Sequence, residues 1–363
     1  MSGAPHSRRI AGLALLLTLL AAAGALRLFS PQAVTARRDG VAMDTIVAVS
    51  LTAREPRSKL EGVLDEAFAE LERMENLFSM HDPASRLSAL NAANGDVPTR
   101  VDAELYALLR DARALSRRTG GAFDPTVGPL TTLWDEALYA ETPALPASGD
   151  IAAAAALVDR EALFLPESGD DTAFLARKGM KLDLGGIAKG YASGRVADIV
   201  RRAGVPSALI DLGGNVVLVG ARPDGDDWNI GIQSPERPRG VPAAILSLRD
   251  TAVVTAGVYE RYAEVDGRRY THILDPRSGF PVEGALLSAT IVADDPVAGD
   301  ALSTACVVAG VADALALLAE FPGAEAVFIL SGDVREVVAT GGLRGRITLP
   351  DGPYTLRFVE VRR

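Results

Sequence analysis

The stretch ALIDLGGNVVLVG, residues 208–220, opens the part of the chain that decides the fold class. From Ala208 to Ile291 the sequence reads as a series of short strands separated by Gly, Pro and Asp turns. On the N-terminal side, Lys181 to Leu184 reads as a strand leading through Gly185-Gly186 into a helix from about Ile187 to Ala203. On the C-terminal side, Pro296 opens a long apolar helix to about Glu320, and short strands finish the chain. Further upstream, Val41 to Ala53 reads as a strand. A helix from Ser58 to Phe78 follows, with Leu60, Leu64, Phe68, Leu71 and Leu77 in an apolar stripe at helical spacing. Ser85 to Asn91 reads as a short helix, Asp102 caps another that stops at Gly120-Gly121, and Glu141 to Asp150 reads as a loop. Helices combined with a run of hairpin-like strands predict an α+β architecture, mostly antiparallel sheet with flanking helices, rather than alternating βαβ units.

Composition narrows the function classes. With 363 residues, 48% hydrophobic and 23% charged, the chain can bury a sizeable core in one large or two modest domains. The balance is acidic, 37 basic against 47 acidic residues, and residues 1–38 contribute five arginines and no acid. That excludes a basic face for nucleic acid. The single cysteine, Cys306, leaves no intrachain disulfide and reads as packing in an apolar helix. Arg8 and Arg9 precede an apolar run from Ile10 to about Leu26, closed by Arg27, and Ser7-Arg8-Arg9 has a faint twin-arginine character. The run is a signal peptide or a membrane anchor. Residues 1–38 are therefore assigned to that segment plus linker, and 39–363 to the folded domain.

Four segments carry candidate chemistry. His272, one of three histidines, stands beside Asp275 in YTHILDPRSGFP, residues 270–281, as a candidate general base at a strand end. A histidine satisfied by local hydrogen bonds fits that segment equally well. In LDLGGIAKGY, residues 182–191, Asp183 precedes two glycines and Lys189 lies in the first turn of a helix, a layout that admits an anion; an ordinary strand-to-helix turn fits it too. Asp300 and Thr304 are four apart on one helix and offer hard oxygen ligands for Mg²⁺ or Ca²⁺, or else serve only their own helix turn. The loop from Gly121 to Leu130 and the segment TAGVYER, residues 255–261, complete the set. Dinucleotide, P-loop, zinc-peptidase and serine-hydrolase motifs are absent from the sequence.

In this order and spacing the segments resemble the ApbE-type FAD:protein FMN transferases, over most of the chain from about Met43 to beyond Thr304. The resemblance implies an ApbE-like, T-fold-like architecture of two intertwined subdomains. Met43, His81, Ala122, Phe123, Asp124, Asp183, Lys189 and Leu274 fall at its flavin-binding positions, and Phe78-Ser79 to Asn91 matches another of its segments. Gly186, through its carbonyl, Asp300 and Thr304 fall at its metal-ligand positions, and His272 with Asp275 at its catalytic ones. Three departures bear on flavin affinity: His81 stands where the family has a stacking tyrosine, Ala256 and Val258 lack a hydroxyl and a carboxylate, and Asp44 follows Met43 where the family has glycine.

By this resemblance the expected reaction is Mg²⁺-dependent. It transfers FMN from FAD to a Thr or Ser hydroxyl of an acceptor protein bearing an S/T-G-A-T-like motif, such as a membrane redox-pump subunit, and releases AMP. His272 is the base and Asp275 orients it. The expected location is periplasmic or on the outer face of the inner membrane. FAD pyrophosphatase activity and a non-catalytic FAD carrier are the alternative readings.

Overall fold

The computed structural model describes residues 32–361 apart from 94, 96, 167–170 and 333. The apolar run Ile10–Leu26 and its flanking arginines lie outside the described residues. Nine strands form one sheet: β1 (Val34–Ala42), β2 (Thr45–Ala53), β3 (Ser207–Leu212), β4 (Asn215–Val219), β5 (Ala252–Gly257), β6 (Leu286–Ala293), β7 (Glu325–Leu330), β8 (Arg335–Thr340) and β9 (Tyr354–Val359). Their order in the sheet is their order in the chain. Every neighbouring pair is antiparallel except β8–β9. The expected α+β class with a mostly antiparallel sheet holds.

The central strands are mostly apolar because both faces of the sheet are covered. Side chains alternate across a strand. Accordingly Val217, Val219, Val254, Ile291, Ala326 and Phe328 enter one core. Their neighbours Val216, Leu218, Val253, Val292, Val327 and Ile329 enter another. The first core lies under three helices. The helix α1 (Arg57–Phe78) packs on β1 and β2, α6 (Ala188–Arg202) on β3 and β4, and α7 (Pro296–Ala319) on β5 and β6. Between α1 and α6 come α2 (Arg86–Ala92), α3 (Ala103–Arg118), α4 (Gly128–Leu138) and α5 (Ser148–Ala155). The second core is closed by a three-stranded sheet of Trp228–Gln233, Pro242–Leu248 and Ile347–Thr348. A third core joins Leu130, Trp134, Leu138 and Ile151 to Tyr270 and Leu274, so chain segments distant in sequence share it.

The helix α7 is long and apolar enough to cross a bilayer by length and composition, but it lies against the sheet with Asp300 to Cys306 in the core. It breaks at Gly310 (φ 75°, ψ 166°), a backbone conformation open to glycine. Cys306 is fully buried and its thiol is pushed up to about 12 by desolvation, consistent with packing.

Three sequence expectations need correction. Val41–Ala53 is not one strand: β1 and β2 are joined by the two-residue turn Met43-Asp44, both left-handed (φ 51° and 57°), with Ala42 opposite Thr45. Neither turn residue is glycine, so the sequence carries no hairpin signal there. Val34–Arg38, assigned to a linker, are the first half of β1. Lys181–Leu184 is extended but pairs with no strand. The Asn91 side chain takes the partner's place, donating to Leu182 O (2.9 Å) and accepting from Leu182 N (2.7 Å). The Asp183 N–H donates to Pro125 O at 2.8 Å.

Candidate active site

The segment YTHILDPRSGFP, residues 270–281, is held as a rigid tongue. Asp275 N–H donates to Phe280 O (2.9 Å), Gly279 N–H donates to Asp275 O (2.8 Å), and Val282 N–H donates to Ile273 O (2.8 Å). From α4, Trp134 Nε1 donates to Gly279 O at 2.8 Å, and its ring stacks on Tyr270 with centroids 6.2 Å apart. The tongue thereby fixes His272. The backbone N–H of His272 donates to Arg261 O (3.1 Å), and its Nδ1 lies 3.0 Å from the same carbonyl. A carbonyl only accepts, so Nδ1 carries the proton and Nε2 is the basic nitrogen. Desolvation, and then the cations Arg261 and Lys189, push the His272 pKa down to about 4, although the residue is exposed by its solvent-accessible surface. At neutral pH the imidazole is uncharged and able to take a proton.

Asp275 does not orient this ring. Its carboxylate accepts from Arg277 Nε (2.9 Å) and Arg277 N (3.0 Å), a turn contact within its own loop. The orienting group is the Arg261 carbonyl. Arg261 also ties the tongue to the first hairpin, its guanidinium donating to Asp44 O at 2.9 Å.

His272 opens on a cleft of about 500 Å³ shared with Asp44, His81, Asp135, Tyr139, Arg261 and Tyr262. His81 reaches it from the turn after α1, where Ser79 Oγ accepts from the N–H of His81 (3.2 Å) and of Asp82 (3.0 Å). Met43 sits at the hairpin tip, its N–H donating to Glu75 Oε2 (3.2 Å). Thr131, Asp135 and Tyr139 are spaced by four on α4 and just beyond its end. They turn toward the site while Leu130, Trp134 and Leu138 face the core. Burial, followed by the nearby Asp183 charge, raises the Asp135 pKa, while His81 and Arg261 lower it.

Asp183 is fixed from two sides, accepting from Gly185 N–H (2.7 Å) and Thr131 Oγ1 (2.8 Å). Lys189 Nζ donates to Gly185 O (3.1 Å). The Lys189 charge lowers the pKa of both His272 and Asp300. Asp300 is 3% exposed and accepts from Gly190 N–H at 2.8 Å. Burial raises its pKa against Lys189, the Gly190 and Lys189 amides and the Asn215 side chain. The close crossing of α6 and α7 requires glycine at 190: a Cβ there would lie 2.2 Å from Pro296 O. At Gly186 a Cβ would lie 3.4 Å from Thr304 Oγ1 and 3.2 Å from Phe123 Cε2, so these three expected residues do meet.

Oxygen donors of the kind a hard divalent cation takes are present here. Asp300 is buried, and Thr304 lies one turn further along the same helix with its hydroxyl near Gly186; a carboxylate, a hydroxyl and a carbonyl are all oxygen donors. Beside them Asn215 Oδ1 is buried with no partner among the described residues.

Two expected flavin contacts have other tasks. Asp124 is 5% exposed, and its oxygens accept from Thr126 N–H (2.9 Å), Thr126 Oγ1 (2.6 Å) and Ser116 Oγ (2.9 Å), with Arg160 at 3.4 Å. It braces the loop that presents Ala122 and Phe123. Leu274 packs in the third core with Trp134 and Tyr270. Sequence reasoning missed Trp134, Asn215, Asp135 and the role of the Arg261 carbonyl. The four-residue spacing on α4 is the signal that finds Trp134 and Asp135.

A family model described as the ApbE family matches residues 43–328. The chain is 36% identical to an FAD:protein FMN transferase of Treponema pallidum, over 88% of this chain and 90% of that protein. It is 34% identical to one of Klebsiella pneumoniae, over 81% and 90%. Among solved structures, the ApbE protein of Thermotoga maritima superposes with a TM-score of 0.79 at 29% identity, covering 86% of this chain and 99% of that one. The apo flavinyl transferase ApbE of Pseudomonas stutzeri gives 0.75 at 31% identity, covering 87% and 97%. The family-model match, the identities above 30% over most of both chains and the shared fold agree: the chain belongs to the ApbE family.

Proposed function

We propose that this protein transfers the FMN half of FAD to a Thr or Ser hydroxyl of an acceptor protein and releases AMP. The hydroxyl oxygen attacks the phosphorus on the FMN side of the pyrophosphate. A new P–O ester bond forms, the bridging P–O bond breaks, and AMP leaves with that oxygen. The hydroxyl proton goes to His272 Nε2. The observation that carries this reading is the state of His272: uncharged, of fixed tautomer, and facing a cleft beside a charged pocket.

The other residues bind and position. Asp183, held by Thr131 and Gly185, suits a ring N–H or a ribose hydroxyl of the flavin nucleotide. Lys189, at the start of α6, suits a phosphate oxygen. Met43, His81 and Phe123 supply apolar and stacking surface. Asp300, Thr304 and the Gly186 carbonyl would hold Mg²⁺, which when bound neutralises pyrophosphate charge. The acceptor carries an S/T-G-A-T-like motif. An enzyme exported by its N-terminal segment, and working in the periplasm or on the outer face of the inner membrane, matches an acceptor of a membrane redox system. The test is AMP release from FAD with and without acceptor. Release that requires acceptor, Mg²⁺ and His272 supports transfer; release independent of acceptor points to the pyrophosphatase reading.

A further inference from the structure

Val41 and Ile46 are 79% and 71% exposed, more than any other large apolar residue among those described. They lie directly opposite each other across the first hairpin, so their side chains stand together on one face. That face is turned away from α1. On the other face Ala42 and Val47 enter the core, and at Gly40 a Cβ would lie 2.7 Å from the Phe68 ring of α1. The second core contains no described residue of β1 or β2, and this end of the face stays open. β1 is also an edge of the nine-stranded sheet. Ala42 and Thr45 close a two-residue turn and bond each other, so the N–H and C=O of Asp39 and Val41 point to the outer edge. Among the described residues no backbone hydrogen bond leaves that edge for another element. An open edge with exposed apolar side chains invites another chain and is normally guarded by charge. Here the ion pair of Arg37 and Asp39 guards the middle of β1, and the tip at Val41 is left apolar. The tip leads to the cleft. Asp44 of the turn lines it together with His272 and the exposed Tyr139 and Tyr262. Arg261, whose carbonyl fixes His272, donates to Asp44 O.

We propose that the Val41–Ile46 pair and the outer edge of β1 at its tip form the docking surface for the acceptor protein, which lays an extended segment there and so brings its hydroxyl over the cleft to His272. The inference rests on the transfer reading of the site. An extended backbone pairs with the free N–H and C=O groups of Asp39 and Val41, and an apolar side chain of the same segment covers Val41 and Ile46. Three residues of extended chain span about 10 Å, so a segment paired at Val41 reaches the cleft bordered by Asp44. The chemistry selects a polypeptide over a lipid surface. A membrane would leave those backbone groups unpaired, and Asp39 and Asp44 beside the apolar pair repel anionic headgroups.

The experiment measures initial rates of FMN transfer by the whole protein to a carrier domain bearing an S/T-G-A-T motif. Carrier and FAD are varied separately for wild type, Val41→Thr, Ile46→Thr and the double variant. Threonine keeps the β-branched shape of a strand residue, and both positions are exposed, so the fold is undisturbed. We expect the double variant to raise the KM for carrier by about tenfold, and each single variant by less. The KM for FAD, kcat at saturating carrier and the melting temperature stay at the wild-type values. A carrier KM unchanged in all three variants overturns the proposal. A raised KM for FAD with an unchanged carrier KM also overturns it and gives the pair to the flavin. A wild-type dimer that the variants lose, with the carrier KM unchanged, overturns it in favour of a second copy of this chain. A wild type that modifies no carrier removes the transfer reading, and this surface with it.

Discussion

Gly190→Ala separates local propensity from tertiary packing, because the two predict opposite signs. Gly190 is the third residue of α6. In a helix, alanine is favoured over glycine by about 1 kcal/mol. In this structure the added methyl carbon would lie 2.2 Å from Pro296 O and 2.8 Å from Asp300 Cβ. Carbon–oxygen contacts settle near 3.3 Å, so α6 and α7 must part by roughly 1 Å. Overpacking of this kind costs about 1–3 kcal/mol. After the propensity gain the net loss is ~0–2 kcal/mol, at most about 3 °C in melting temperature for a domain of this size. The functional effect is larger. The same shift pulls Asp300 from the Gly190 N–H that fixes it at 2.8 Å. A misplacement of about 1 Å at a reacting centre costs around a hundredfold in rate. Thermal melting and steady-state AMP release on the variant read both quantities. A variant as stable as wild type, or more so, with an unchanged rate would refute the claim that this helix crossing places Asp300.

Other outcomes follow from the geometry around the tongue. Because the pKa of His272 is lowered to about 4, the acid limb of the pH–rate profile lies well below the ordinary imidazole value near 6.5 and disappears in His272→Gln. The same shift makes the unfolded chain bind more protons than the folded one between those values. The histidine's contribution to stability is thus complete above pH 6.5 and lost as pH falls toward 4, which urea melts across that window will register. Asp275→Asn retains most of the transfer rate, since that carboxylate pairs with Arg277, whereas His272→Ala abolishes transfer; equal losses would restore Asp275 as the orienting group. Trp134→Phe keeps the ring and leaves Gly279 O without its donor, costing about 1–3 kcal/mol and slowing transfer by loosening the tongue. An unchanged melting temperature and rate would contradict that role.

The parts of the fold legible in the sequence were those set by local periodicity and caps. The helices α1, α3, α6 and α7 follow from apolar spacing and from Pro, Asp and Gly at their ends. The apolar runs Val216–Val219 in β4 and Ile291–Ala293 in β6 follow from a sheet covered on both faces. Less legible were features built from distant side chains. Lys181–Leu184 looks like a strand because Leu182 needs hydrogen-bond partners, but they come from the Asn91 side chain and not from a neighbouring strand. The Met43-Asp44 turn adopts left-handed conformations without glycine, so composition hides the hairpin. In the site, the residue types of His272, Asp300 and Thr304 are what suggest the roles proposed for them. What orients His272 is a backbone carbonyl, and a carbonyl has no sequence signature. Asp124 and Asp275 show the converse: their residue type invites a functional role, while their hydrogen bonds are consumed by their own loops.

The central claim is transfer of FMN from FAD to a protein hydroxyl with His272 as the base. Its most direct measurement is the intact mass of a carrier domain bearing an S/T-G-A-T motif after incubation with this protein, FAD and Mg²⁺. The account predicts a single added FMN, absent with a chelator and absent with His272→Ala. An unmodified carrier alongside stoichiometric FMN and AMP, or an adduct that forms equally well with His272→Ala, would contradict it.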